Sequence, residues 1–392
     1  MVEVVIVGAA RTPIGDFLGA LKDVSPIDLG VAAVNGALAR ATLSPEQVEE
    51  LACGMIYKGG AKGNPGRQIQ LKCKMPVAGY AYTIDQQCGS GMKAFEAVYQ
   101  SIMLGKTDIG VAVGTESMSQ APYILKGGRE GLRMGHGEIL DSMLYDGLVC
   151  AMQGYHMGLT AENLAERYHI SRLEQDELAL LSHQRAVSAI SKGFFSEEIV
   201  PVTIETRRGT IVVDTDQHPN ATLTAEKLAS MRTAFTKDGT VTAGNASSVN
   251  DGAAALVLMS RDKADELGIK PLARILATAN MGVHPEVMGI GPAFVIPKAL
   301  KFAHLTSDQI DYYEINEAFA AQFIAVNREL GLDLAKVNRN GSGIGLGHPV
   351  GCTGARIIVS LLSELRRSGE RYGVASLCVG GGPATAVVIE AI

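Results

Sequence analysis

The sequence predicts an α/β protein built from two copies of one unit, with a long segment inserted into the first copy. Three observations carry that reading: a long-range internal repeat, near-continuous apolar runs alternating with helical patterns, and a stretch with no counterpart in the second copy. The repeat is clearest where Ala37-Leu38-Ala39-Arg40-Ala41-Thr42-Leu43-Ser44-Pro45-Glu46-Gln47-Val48 aligns with Ala299-Leu300-Lys301-Phe302-Ala303-His304-Leu305-Thr306-Ser307-Asp308-Gln309-Ile310, Ala37 onto Ala299, at a constant offset of 262. Both copies carry a capping box, Ser44 with Gln47 and Thr306 with Gln309. At nearly the same spacing Cys88-Gly89-Ser90-Gly91 falls on Gly351-Cys352-Thr353-Gly354, and the helix-stop Gly105 falls on Gly369. A weaker echo sets Asn64, which opens a helical stretch, against Asn316.

Each half reads as strand, helix, strand, helix, strand. In the first, 2–7, 109–113 and 254–259 are strand-like; 274–278, 373–377 and 384–389 are their expected counterparts. Runs this uniformly apolar, alternating with helices, predict parallel-type sheets covered on both faces. Between Glu116 and Ala243 nothing pairs with the second half. That segment begins rich in Gly and Met, continues through a helix expected from Thr160 to about Lys192, and ends charged and turn-rich. The division is therefore 1–118 with 246–270 as the first half, 119–245 as an inserted loop domain, and 271–392 as the second half.

With 392 residues, 47% of them hydrophobic, the chain can bury substantial cores and is not a disordered one. A net charge of −6 and a pI near 5.8 argue against a nucleic-acid or anionic-membrane surface. The six cysteines are scattered without a C-x-x-C pair, which suggests neither zinc nor a disulfide framework and fits a reducing compartment. Residues 1–8 lack a basic leader pattern and no apolar run is long enough to span a bilayer, so the cytoplasm is the expected location.

Chemistry concentrates at the repeated helix beginnings. Met92, Phe95, Val98 and Ile102 fall on one helical face, which places Cys88 at or just before a helix N-terminus. There unpaired N–H groups and the helix macrodipole are expected to favour thiolate over thiol. A free cysteine is more often an inert core residue; the downstream partner distinguishes this one. His348, in Asn340-Gly341-Ser342-Gly343-Ile344-Gly345-Leu346-Gly347-His348-Pro349, occupies the position matching Asp85 before the duplicate helix. A two-fold arrangement of the halves would bring its imidazole toward Cys88, the pairing that nucleophilic catalysis needs. Cys378 ends a strand beside Gly380, Gly381 and Gly382, where an open sheet places its ligand and glycine N–H groups can hold an oxyanion. Asn316 presents an amide between a strand and a helix; a plain N-cap is the alternative. Gly89-Ser90-Gly91-Met92-Lys93-Ala94 satisfies a loose dinucleotide fingerprint, but no clean strand precedes it and no acidic residue closes a second strand.

Asp85-Gln86-Gln87-Cys88-Gly89-Ser90-Gly91, Asn316-Glu317-Ala318-Phe319, the histidine loop through Gly354, and Cys378-Val379-Gly380-Gly381-Gly382 together resemble the thiolase family, the acetyl-CoA acetyltransferases and 3-ketoacyl-CoA thiolases. Gly154-Tyr155-His156-Met157-Gly158 and Thr242-Ala243-Gly244-Asn245-Ala246-Ser247 extend the likeness over essentially the whole chain. It implies a thiolase-like duplicated five-layer α-β-α-β-α fold with an inserted loop domain. It further implies that Cys88 takes the acyl group, His348 activates it, Cys378 shuttles a proton on the α-carbon, and Asn316 with His348 holds a thioester oxygen. The N–H groups of Cys88 and Gly380 would hold the acyl-enzyme oxygen. Leu148, His156, Met157, Ala243, Gly244, Ser247, Ala318 and Phe319 would line the substrate and pantetheine path. Coenzyme A would be a co-substrate, with no permanently bound cofactor and no metal, and the expected assembly is a homodimer or homotetramer.

The sequence departs from the family pattern where Asp85 replaces the usual asparagine and where 216–221 lacks an adenine-stacking arginine. Arg207, Arg208, Arg232 or Lys237 would contribute phosphate contacts instead.

Overall fold

The computed structural model describes residues 2–392. In chain order the elements that build the site are β1 (Val4–Arg11), α1 (Pro26–Arg40), β2 (Glu50–Gly54), α2 (Pro65–Lys72), β3 (Tyr80–Ile84), α3 (Ser90–Met103) and β4 (Ile109–Ser117). The inserted segment supplies α4 (Met157–Arg167) and α5 (Arg172–Ser191). Then come β5 (Asn250–Ser260), β6 (Ala273–Gly282), α6 (Gly291–Phe302), β7 (Tyr312–Ile315), α7 (Ala320–Leu330), α8 (Val350–Ser368), β8 (Tyr372–Cys378) and β9 (Pro383–Ala391).

The strands run in the order β7-β8-β9-β6-β1-β5-β4-β2-β3. The halves join where β1 meets β6 through Val5 opposite Arg274 and Ile6 opposite Ala273. Outward from that seam β1, β5, β4, β2 answer β6, β9, β8, β7, which is the pairing the repeat predicts. The strand directions differ from expectation. Only β2 with β3, β2 with β4, and β7 with β8 are parallel; β1 with β5 and β6, β5 with β4, and β9 with β6 and β8 are antiparallel. Apolar runs report burial on both faces, whatever the direction of the neighbouring strand.

Alternation along β1 shows the layering: Val5 and Val7 pack outward against α1 and α2, while Val4 and Ile6 pack inward against α3 and α8. On the other half, Ala384, Ala386 and Val388 of β9 face α6 and α7, and Val387 and Ile389 face the central pair. The result is α-β-α-β-α. Helices α3 and α8 cross closely at their beginnings: a Cβ on Gly91 would lie 2.8 Å from the backbone oxygen of Gly351, and one on Gly354 would lie 2.3 Å from the backbone nitrogen of Met92. Helix packing, with no phosphate to bind, thus accounts for the Gly-Ser-Gly step.

The helix expected from Thr160 to Lys192 is two helices. His169 adopts a left-handed φ of 51°, and Ser171 with Glu174 forms a capping box that starts α5 afresh. Asn64 caps α2, whereas the N-cap of α7 is Phe319, so Asn316 is no N-cap and the weakest echo of the repeat fails. No helix among the described residues is long and apolar enough to cross a membrane.

Candidate active site

Cys88 sits in the turn between β3 and α3, immediately before the N-cap Gly89. Side chains hold that turn. Gln87 takes a left-handed φ of 48°, unfavourable for a residue with a Cβ by on the order of 1 kcal/mol. Its N–H donates to Asp85 Oδ1 at 3.0 Å and its amide to the Asp146 carbonyl at 3.1 Å. Ser90 Oγ accepts from Gln86 N–H at 2.9 Å and donates to the Gln87 carbonyl at 2.6 Å. Lys58 Nζ lies 2.8 Å from Asp85 Oδ2, so the unusual Asp85 charge is paired.

The thiolate expectation fails in the resting protein. Burial pushes the Cys88 thiol up to about 11. The N–H groups of Gly380 and of Cys88 itself oppose that shift, and the Glu116 and Asp85 carboxylates add to it. The thiol is therefore the favoured resting form at pH 7. Desolvation outweighs the helix end, so a base is required.

His348 is the candidate proton acceptor. Its ring is buried, and burial, aided by the Arg356 charge, lowers its pKa to about 3, so it is neutral at working pH. The tautomer follows from its neighbour. Thr353 Oγ1 donates to the Pro349 carbonyl at 2.9 Å and therefore accepts from His348 Nδ1–H at 2.6 Å. That leaves Nε2 with a free lone pair and no partner among the protein atoms. The His348 N–H donates to Asn250 Oδ1 at 2.8 Å, which fixes the loop from below.

Cys378 is the last residue of β8, opposite Ala384 of β9. Burial raises its thiol pKa and the neighbouring Cys88 raises it further. The turn after it places Gly381 and Gly382 at φ 90° and 105° and brings the Gly380 N–H onto Cys88. Asn316 follows β7; both its amide atoms are buried without a partner, and a Cβ on Gly343 would approach its Oδ1 to 2.7 Å.

Cys88, His348, Cys378 and Gly380 line one cavity of ≈ 370 Å³. Leu148, His156, Met157, Ala243, Ser247, Ala318 and Phe319 complete much of its wall. His156 stacks on Phe235 with centroids 4.6 Å apart, and Phe235 meets Phe319 edge-on at 6.3 Å. Two of the expected residues lie off this lining. Asn316 is one, and Gly244 is the other, packed where a Cβ would strike Met231 Sδ at 2.5 Å. Tyr57, Phe235 and Met288 on the wall, and Thr353 behind His348, had no role in the sequence reading.

The thiolase N-terminal domain pattern matches residues 4–262 and the thiolase C-terminal domain pattern residues 269–391. The chain belongs to the thiolase family. It is 48% identical to the acetyl-CoA acetyltransferase of Syntrophomonas wolfei, over 100% of this chain and 99% of that protein. The crystal structure of the Bacillus anthracis acetyl-CoA acetyltransferase matches with a TM-score of 0.98 at 50% identity, covering 100% of this chain and 99% of that one. Human mitochondrial 3-ketoacyl-CoA thiolase matches with a TM-score of 0.97 at 40% identity, with the same coverage.

Within this thiolase, Asp216 is no part of an exposed binding loop: it is buried and forms an ion pair with Arg11 at 2.7 Å. Arg207 and Arg208 sit exposed in the turn of a separate hairpin, Val202–Thr206 with Gly209–Val213.

Proposed function

We propose that the protein is an acetyl-CoA acetyltransferase that interconverts acetoacetyl-CoA plus CoA with two acetyl-CoA through an acyl-cysteine. The carrying observation is that two sulfurs and the unpartnered Nε2 of a neutral histidine line one apolar cavity. In the condensing direction His348 Nε2 takes the Cys88 proton while Sγ attacks the thioester carbon. The tetrahedral oxygen lies toward the N–H groups of Cys88 and Gly380, and CoA leaves with the proton of Cys378, which is left as the thiolate while His348 keeps the Cys88 proton. Cys378 then removes the α-proton of a second acetyl-CoA. Asn316 and His348 hold that thioester's oxygen, the carbanion attacks the acetyl carbonyl, and Cys88 departs as thiolate and takes back the proton that His348 holds. Exchange of one thioester for another keeps the intermediate from becoming a trap, and the two thiols titrate as a coupled pair.

Coenzyme A enters as substrate along His156, Met157, Ala243, Ser247, Ala318 and Phe319, and we infer that 119–245 is the segment that binds it. The exposed Leu132, Met134 and Ile139 in that segment support a homodimer or homotetramer. A cytoplasmic place in fatty acid metabolism fits the cysteine pattern and the substrate class. A broader 3-ketoacyl-CoA thiolase is the second reading, favoured by the likeness to the human mitochondrial enzyme. Following CoA-dependent loss of acetoacetyl-CoA and then of longer 3-ketoacyl-CoAs tests both. Fastest thiolysis of acetoacetyl-CoA is expected. Equal or faster rates on long chains would favour the second reading, and binding without turnover would leave a carrier.

A further inference from the structure

Glu116, at the end of β4, is fully buried, and its three partners are backbone N–H groups. Its Oε2 accepts from Ile56 at 3.0 Å and from Gly351 at 3.0 Å, and its Oε1 accepts from Tyr57 at 3.1 Å. Those donors belong to different halves. Ile56 and Tyr57 form the apolar wall packed against Cys88, and Gly351 is the second residue of α8, three residues after His348. The junction leaves no slack: a Cβ on Gly351 would come within 2.5 Å of Glu116 Oε2 and 2.9 Å of the Met55 Cα.

We propose that Glu116 is a positioning residue for acyl transfer, whose carboxylate ties the wall beside Cys88 to the first turn of α8 and so sets where His348 stands relative to the sulfur. This rests on the acyl-Cys88 reading above. The carboxylate does two opposed things. It pins the base, which speeds turnover, and its charge disfavours thiolate at Cys88. A residue that only stabilised the fold would not couple those effects in opposite directions.

The groups facing this carboxylate are Cys88, Tyr57, Cys53 and Cys352, with Asp85 further off and paired to Lys58. Burial pushes Glu116 up to about 7, against the pull of its three N–H donors and with a push from Asp85. Protonation removes an acceptor that the three donors use, so the tie loosens as pH falls through that value.

The test uses full-length wild type, Glu116→Gln and Glu116→Asp, read by steady-state thiolysis and by iodoacetamide alkylation of Cys88 followed by peptide mass. Wild type is first exposed to acetyl-CoA; an unlabelled Cys88 there would overturn the acyl-enzyme reading itself. With Cys88 labelled, Glu116→Gln is expected to lower kcat about 10²-fold with KM within about twofold, because a small misplacement of a catalytic group costs that much. Alkylation at pH 8.5, where Glu116 is ionised in the wild type, should rise about threefold or more as the charge is lost. Glu116→Asp keeps the charge but shortens the reach, so it should alkylate at the wild-type rate and recover only part of kcat; it also carries the test should the Gln variant not fold. A folded Gln variant with kcat within twofold of wild type, alkylation that does not rise, or an Asp variant with full kcat would overturn the proposal.

Discussion

The beginnings of α3 and α8 descend from one unit and cross through Gly91 and Gly354, yet they spend their free N–H groups differently. Before α3, the Gly-Ser-Gly step leaves the Cys88 N–H, with that of Gly380, facing the sulfur. At α8 the Gly351 N–H is taken by Glu116, while Cys352 and Thr353 donate to the Pro349 carbonyl. One helix end leaves its N–H facing a sulfur; the other is closed by Glu116, three residues after His348. Equivalent backbone therefore does not imply equivalent electrostatics. The contrast also explains why a sulfur beside a helix end rests as a thiol at about 11, since its apolar surroundings outweigh two N–H groups.

The sharpest break of this contrast is on the sulfur side of the late half. Cys378→Ser should slow condensation about 10³-fold while acetylation of Cys88 by acetyl-CoA falls less than tenfold, measured by burst and steady-state kinetics. Equal losses would mean that the second sulfur has no separate duty. Thr353→Val keeps the shape but removes the acceptor that fixes Nδ1–H, so about a tenfold drop in kcat is expected. Unchanged kcat would show that the tautomer is held otherwise. The smallest effect belongs to Asp85→Asn, which keeps the turn's acceptor for Gln87 N–H but deletes a charge that disfavours the Cys88 thiolate. Alkylation at fixed pH should quicken by less than about threefold, because both partners of its ion pair with Lys58 are 40% exposed and screened. In every variant that keeps His348, alkylation should climb with pH without a plateau between about pH 5 and 9, since a neutral imidazole forms no resting ion pair with the thiol.

The duplication, the five layers and the grouping of Cys88, His348 and Cys378 on one cavity were legible in the sequence because each is carried by contiguous motifs at a repeated spacing. Strand direction was not, because Val4 to Val7 and Ala253 to Met259 are buried on both faces and read the same in either orientation. The break between α4 and α5 did leave a trace, the Ser171…Glu174 capping box, overlooked within a long helical pattern. Thr353 sat inside a quoted motif, but its reach back to His348 depends on the first turn of α8. Glu116, Tyr57 and Phe235 carry no local signature, since their partners come from distant parts of the chain. Gly244 was placed with its motif's lining residues, yet it serves the packing of Met231 and Leu228 beneath them.

The most direct measurement is to mix the full-length protein with acetoacetyl-CoA, quench during turnover and map the acetyl group by peptide mass. The account predicts an acetyl group on Cys88 alone, absent from Cys88→Ala, whose turnover falls by at least about 10⁴-fold. An acetyl group on Cys378, or an adduct that survives Cys88→Ala together with activity, would contradict it.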